Sequence, residues 1–193
     1  MLIEKIKGYY EKEINIIRSI DFEEVGKAVG AIIDAYEREA TIYIFGNGGS
    51  AATASHFAND FNKGISEGLD KKFCMICLCD NFATVMAIAN DESYEEIFRF
   101  QLRGRLKPDD LVIGISGSGN SINVVNGIQY AKDVGAKTVG ISGYTGGKLK
   151  ELSDFHMHVP IEDMQITEDI HMTFDHMMYK VVLDYLKNRQ YSC

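Results

Sequence analysis

The sequence predicts a three-layer α/β fold: a doubly wound, five-stranded parallel sheet with helices on both faces and a helical hairpin in front. Three observations predict it. From residue 41 onward, short apolar runs alternate with helix-length amphipathic stretches. The runs are almost continuously apolar, the pattern of strands covered on both faces, whereas a half-exposed strand alternates. Two of the runs end in loops of glycine and serine that lead straight into helices, which is where open parallel sheets bind ligands.

The elements follow in order. Residues 2–38 read as helix, with Ile3, Ile6, Tyr9 and Tyr10 marking one apolar stripe and Val25, Val29, Ile32, Ile33 and Tyr36 a second. Between them Asp21 stands as an N-cap with Glu24 three residues on, the pattern of a capping box. This hairpin precedes the first strand, so it is an appendage to the sheet and an expected oligomer surface. Residues 39–193 supply the α/β core, and 1–193 reads as one domain. Strands are expected at 41–45, 72–78, 110–115, 137–142 and 155–159. Helices are expected at 51–66, 82–103, 121–134 and 147–152, with a long last helix over 164–188.

Composition narrows the function classes. The net charge is −8, which excludes nucleic acid as the main ligand because backbone binding needs clustered Lys and Arg. No apolar run approaches the ~20 residues of a membrane span, and the N-terminus has no signal-peptide core. Cys74 and Cys77 form a CxxC inside the strand-like stretch Phe73–Cys79, with no second CxxC. They and Cys79 read as buried, reduced thiols, and with Cys193 they point to the cytoplasm.

The first loop, Gly46-Asn47-Gly48-Gly49, lets the backbone turn sharply and approach a ligand, and Ser50 is placed to cap the next helix. The amides and positive dipole end of that helix suit an anion. The same stretch satisfies the dinucleotide pattern G-x-G-x-x-A, but its acidic partner, Asp80, lies 34 residues after Gly46, too far for that unit. The second loop, Ser116-Gly117-Ser118-Gly119-Asn120-Ser121, adds three hydroxyls before another helix. A dinucleotide site needs no such serines; a phosphate monoester does use them.

The stretches "GNGGSAATASHFANDF", "IANDESYEEIF", "ISGSGNSINVV", "GISGYTGGKLKELSD" and "EDIHMTFDHMM" resemble the sugar isomerase (SIS) domain family, and within it the phosphoheptose isomerase group. The resemblance runs over nearly the whole chain. It implies a flavodoxin-like sheet and a homotetramer with active sites shared between subunits. It also implies a phosphosugar aldose–ketose isomerase that requires no cofactor and, in some members, holds Zn²⁺.

Residue by residue, the resemblance implies that Asn47, Gly48, Gly49, Ser50, Ser116, Gly117, Ser118 and Ser121 form the sugar-phosphate site, with Asp91 and Glu168 touching substrate. It gives the general base to Asp60 and the acid to His176, and the metal positions to His56, Asp60, Glu168 and His176. His56 and Asp60 are four apart and share a helix face. Four departures stand out: Asp60 for Glu, Glu168 for Gln, Gly117 for Thr, and Lys63-Gly64 where an arginine is expected. Glu168 and His176 are eight residues apart, ~12 Å along a straight helix, too far to bind one ion unless Glu168 lies at the helix start or in another subunit. His171 reads as structural, and Asp175 and Lys180 as solvated. The acid–base pair implies proton transfer through an enediol. The departures favour a second reading, a non-catalytic module that senses a sugar phosphate or scaffolds a partner, like the replication-initiation regulator of the same group.

Overall fold

The computed structural model describes residues 1–190. Cys193 therefore lies outside the described residues. Two helices, α1 (Leu2–Ile17) and α2 (Phe22–Glu37), form the expected hairpin. Asp21 caps α2 by accepting from the amides of Glu23 at 3.1 Å and Glu24 at 3.2 Å. The return half of the capping box is replaced: the Glu24 carboxylate pairs with Lys27 one turn on. Helix α2 buries Val25, Ala28, Val29, Ile32, Ala35 and Tyr36. Helix α1 buries none of its residues and is tethered by polar contacts, Tyr9 to Asp169 at 2.5 Å and Lys12 to Asp163 at 2.6 Å.

Five parallel strands follow: β1 (Ile42–Gly46), β2 (Met75–Cys77), β3 (Leu111–Ser116), β4 (Lys137–Ser142) and β5 (Phe155–His158). Their spatial order is β2-β1-β3-β4-β5. From β1 the chain steps outward to β2, then crosses back past β1 to reach β3 on its other side. The carboxyl ends of β1 and β3, with their two glycine–serine loops, therefore stand side by side at the point where the order reverses.

Side chains alternate between two apolar cores. Ile42, Ile44, Ile113, Ile141 and Met157 pack under α2, α3 (Gly49–Asn59) and α8 (Met164–Gln190). Tyr43, Phe45, Val112 and Leu78 pack on the other face, against α5 (Ile97–Leu102), α6 (Ile122–Val134) and α7 (Gly147–Leu152). This gives the three layers that the continuously apolar strands require.

Three elements differ from expectation. The second strand is only three residues long, because β2 is a sheet edge and pairs with β1 alone. The expected helix over 82–103 is broken into α4 (Phe82–Asp91), a 3-10 turn at Tyr94–Glu96 and α5, where Ser93 turns extended (φ −167°, ψ 162°). The expected helix over 51–66 begins at Gly49 but continues past Asn59 as a π-turn, Asp60–Gly64, then a 3-10 turn, Ile65–Gly68. Among the described residues, no helix is long and apolar enough to cross a membrane.

Candidate active site

The first loop turns on Gly48, whose φ of +51° is a conformation that favours glycine. Gly48 is the N-cap of α3 and no side chain caps that end; Ser50 instead lies buried inside the first turn, against Gly46. The expectation that Ser50 caps α3 is corrected accordingly. Asn47 ties the loop to its neighbours. It exchanges amide hydrogen bonds with the buried Asn123 of α6, at 2.9 Å each way, and accepts from the Tyr94 hydroxyl at 2.8 Å.

The second loop is also braced. The Ser116 and Ser121 hydroxyls bond at 3.0 Å, and the Ser118 hydroxyl accepts from the Asn120 amide at 3.2 Å. Gly117 brings no side-chain donor to the cradle, and its carbonyl accepts from Gly143 at 2.8 Å. A Cβ at Gly117 would stand 2.5 Å from the Met164 sulfur, which explains glycine where the resemblance expects threonine. At Gly119 (φ +69°) a Cβ would run into the carbonyl oxygen of Gly146. Beside the first loop lies a pocket of about 240 Å³, walled by Asn47, Gly48, Cys79, Phe82, Met86 and Tyr94. The Cys79 thiol, half-buried, bonds the Gly46 carbonyl at 3.2 Å. Cys77 is buried as expected; Cys74 is exposed, because the strand there is an edge.

Helices α3 and α8 lie side by side and run in the same direction. Gly49 faces Glu168, and seven residues further along both, His56 faces Asp175. A Cβ at Gly49 would be 2.5 Å from Glu168 Oε1, so the glycine admits that carboxylate at the first loop. Further along, Gly64 similarly admits the ring of Tyr179.

Four donors converge where these helices meet: His56, Asp60, Asp175 and His176, with one ligand atom from each lying within 4.8 Å of the others. His56 Nε2 is 3.3 Å from His176 Nε2 and 3.6 Å from both Asp60 Oδ2 and Asp175 Oδ2. A tetrahedron of ligands at ~2.0–2.1 Å from one zinc ion has edges of ~3.3 Å. The donor types and spacing fit a divalent cation. All four belong to one chain.

Asp175, which the sequence pattern places in solvent, is fully buried, and neither of its oxygens has a hydrogen-bond partner. Burial, with the Asp60 charge nearby, pushes its carboxyl up to about 7. Glu168 stands outside the cluster, as the eight-residue spacing from His176 requires. His171 is structural in position: it is buried beneath α8, both ring nitrogens are partnerless, and burial pulls it down to about 4. Asp91 is exposed at the end of α4 and bonded to Asn90 at 2.8 Å. Lys63 is exposed and paired with Glu67 at 3.0 Å. Sequence reasoning missed Asp175, Asn123 and Tyr94. The signal for Asp175 was its row: Thr167, His171 and Asp175 recur every four residues beside Ile166, Ile170, Phe174 and Met178, and all seven are buried.

A SIS domain family model matches residues 8–143. The chain belongs to the SIS domain family. A probable phosphoheptose isomerase of Thermoplasma volcanium is 34% identical to this SIS protein over 180 residues, covering 93% of this chain and 91% of the relative. A phosphoheptose isomerase of Helicobacter pylori strain P12 is 38% identical over 156 residues, covering 81% of each. The solved structure of phosphoheptose isomerase GmhA from Neisseria gonorrhoeae superposes with a TM-score of 0.87 at 25% identity, covering 96% of this chain and all (100%) of that one. The five-stranded parallel sheet with helices on both faces matches the fold of that structure.

Proposed function

We propose that the chain interconverts sedoheptulose 7-phosphate and an aldoheptose 7-phosphate. Its phosphoheptose isomerase relatives make it a phosphosugar isomerase. The observation that carries the finer reading is the pairing of two features in one chain. Two glycine–serine loops open side by side at helix N-termini, and a cluster of two imidazoles and two carboxylates lies two turns along α3. The loops hold the phosphate through the hydroxyls of Ser118 and Ser121 and the free amides of α3 and α6. Asn47, Gly48, Gly49, Ser50, Ser116 and Gly117 shape the cradle. Glu168, beside Gly49, faces the sugar's polar groups, and Asp91 approaches from the end of α4.

Asp60 takes the proton from the carbon next to the carbonyl, and His176 delivers one to the carbonyl oxygen, giving the enediol; collapse in the other sense moves the carbonyl between C1 and C2. The donors also suit Zn²⁺: an ion held there would occupy His176 Nε2, so it would supply the carbonyl polarisation in place of a proton from His176, and Asp60 would keep one carboxylate oxygen for the base's role. The exposed apolar row Leu2, Ile3, Ile6, Tyr10 and Ile14 on α1 supports a homo-oligomer, a tetramer in this reading. Free thiols at Cys74, Cys77 and Cys79 support a reducing, cytoplasmic setting.

The test is proton exchange. In D₂O, sedoheptulose 7-phosphate should take up deuterium at the carbon next to the carbonyl. Asp60→Asn should abolish exchange while inorganic phosphate still binds. No exchange by the wild type with any five- to seven-carbon sugar phosphate would leave the sensing or scaffolding module as the better account.

A further inference from the structure

We propose that Asp175 is the buried anchor of a divalent-cation site and that Glu168, the family-aligned fourth position, is released from metal binding to stand on the substrate side. The inference rests on the metal-competent cluster described above and specifies which of this chain's carboxylates serves it.

The first argument is the cost of Asp175. A carboxylate with no exposed surface and no hydrogen-bond partner on either oxygen is strongly unfavourable by itself. Protonation does not remove the difficulty, because the resulting hydroxyl would need an acceptor, and His56 Nε2, the group it faces, is 3.6 Å away. A cation held jointly with His56, Asp60 and His176 satisfies it. The His56–His176 contact has the same origin. Two imidazole nitrogens at 3.3 Å, flanked by two carboxylates, present their lone pairs to one point.

The second argument is the phase of α8. Asp175 and Glu168 are seven residues apart and so share a face, with ~10 Å of helix between them. Because α3 runs parallel to α8, Glu168 meets the start of α3 at Gly49, whereas Asp175 meets His56 two turns along. Within one chain, one ion cannot be reached from both positions. Helix α8 therefore offers two carboxylates with separate duties: Asp175 behind the cation, Glu168 at the loop where the sugar enters.

The experiment titrates metal and needs no turnover. Purified, chelator-treated protein is titrated with Zn²⁺ against a chromophoric chelator, and with Co²⁺ while visible absorption is recorded. The wild type should bind one Zn²⁺ per chain and give the intense band of low-coordinate Co²⁺. Asp175→Asn should weaken Zn²⁺ by about 100-fold or more and bleach the cobalt band, and Asp175→Ala, which removes the carboxylate without adding bulk, should do the same. Glu168→Gln should change Zn²⁺ affinity by less than about threefold and keep the band while raising KM for the sugar phosphate. Loss of affinity in Glu168→Gln with retention in Asp175→Asn would overturn the assignment, as would a wild type that binds no divalent ion. Failure of the isomerase reading is seen separately, as absent proton exchange in a protein whose metal titration behaves as expected.

Discussion

Replacing Gly119 by alanine should destabilise the protein more than the same change at Gly48, although both glycines have positive φ. Gly48 (φ +51°, ψ −119°) has nothing within 4 Å of the point where a methyl would stand, so Gly48→Ala incurs backbone strain alone, about 1–3 kcal/mol for a conformation outside the left-handed helical well. Gly119 (φ +69°) incurs positive-φ strain of its own and a collision with the Gly146 carbonyl oxygen. That oxygen cannot swing aside, because Gly146 donates to Gly143 at 2.8 Å and accepts from Lys150 at 3.2 Å. Relief requires the two loops to part, which breaks Leu149 N–H to Gly119 at 2.9 Å and Lys148 N–H to Asn120 Oδ1 at 3.2 Å. Each broken bond costs about 1 kcal/mol, more where a buried group is left unpaired. The sum is about 3–5 kcal/mol for Gly119→Ala against about 1–3 kcal/mol for Gly48→Ala. Urea unfolding followed by circular dichroism measures both. Equal losses at the two positions would refute the argument that contact between the loops, beyond backbone conformation, dictates glycine at 119.

Ser118→Ala should weaken inorganic phosphate by about 1–2 kcal/mol in calorimetric titration, the worth of one charge-assisted hydrogen bond, while neither form binds NAD. His171 should make stability pH-dependent. Its folded value of about 4 lies below the ordinary 6.5, so the unfolded chain binds the extra proton and stability falls as pH drops through that window. By about pH 5 the wild type should have lost about 2 kcal/mol that His171→Leu does not lose, as read from urea midpoints of both proteins. Ile6→Asp with Ile14→Asp, both on the exposed row of α1, should lower the mass seen by light scattering without lowering helix content. An unchanged mass would show that this row is not an intersubunit surface.

The sheet was legible because buried parallel strands leave continuous apolar runs: Lys137–Ser142 lies where the sequence placed it, and the strands on either side of it shift by at most one residue at each end. The second strand was over-read because Phe73 and Cys79 are apolar for reasons other than pairing. Phe73 packs against Tyr36 and Phe61, and Cys79 bonds the first loop. The glycine loops announced themselves, since few other residues tolerate their geometry. Asp175 did not, because a charged residue beside a histidine reads as surface until the phase of α8 is fixed by what it packs on. Tyr94 and Asn123 carry no local signal; they matter through Asn47, from 47 and 76 residues away in sequence.

The parallel seating of α3 and α8 also orders events during synthesis. Both glycine–serine loops and the strands that carry them are complete once residue 121 has emerged, and His56 and Asp60 with them. Asp175 and His176 arrive only when much of α8 has left the ribosome, since His56 and His176 are separated by 120 positions. A domain consolidates as a unit, so the anion cradle, though synthesised early, gains its cover and its chemistry together when α8 arrives. A truncation ahead of α8 would then remove the chemistry and leave the apolar layer of Ile42, Ile113 and Met157 without part of its cover.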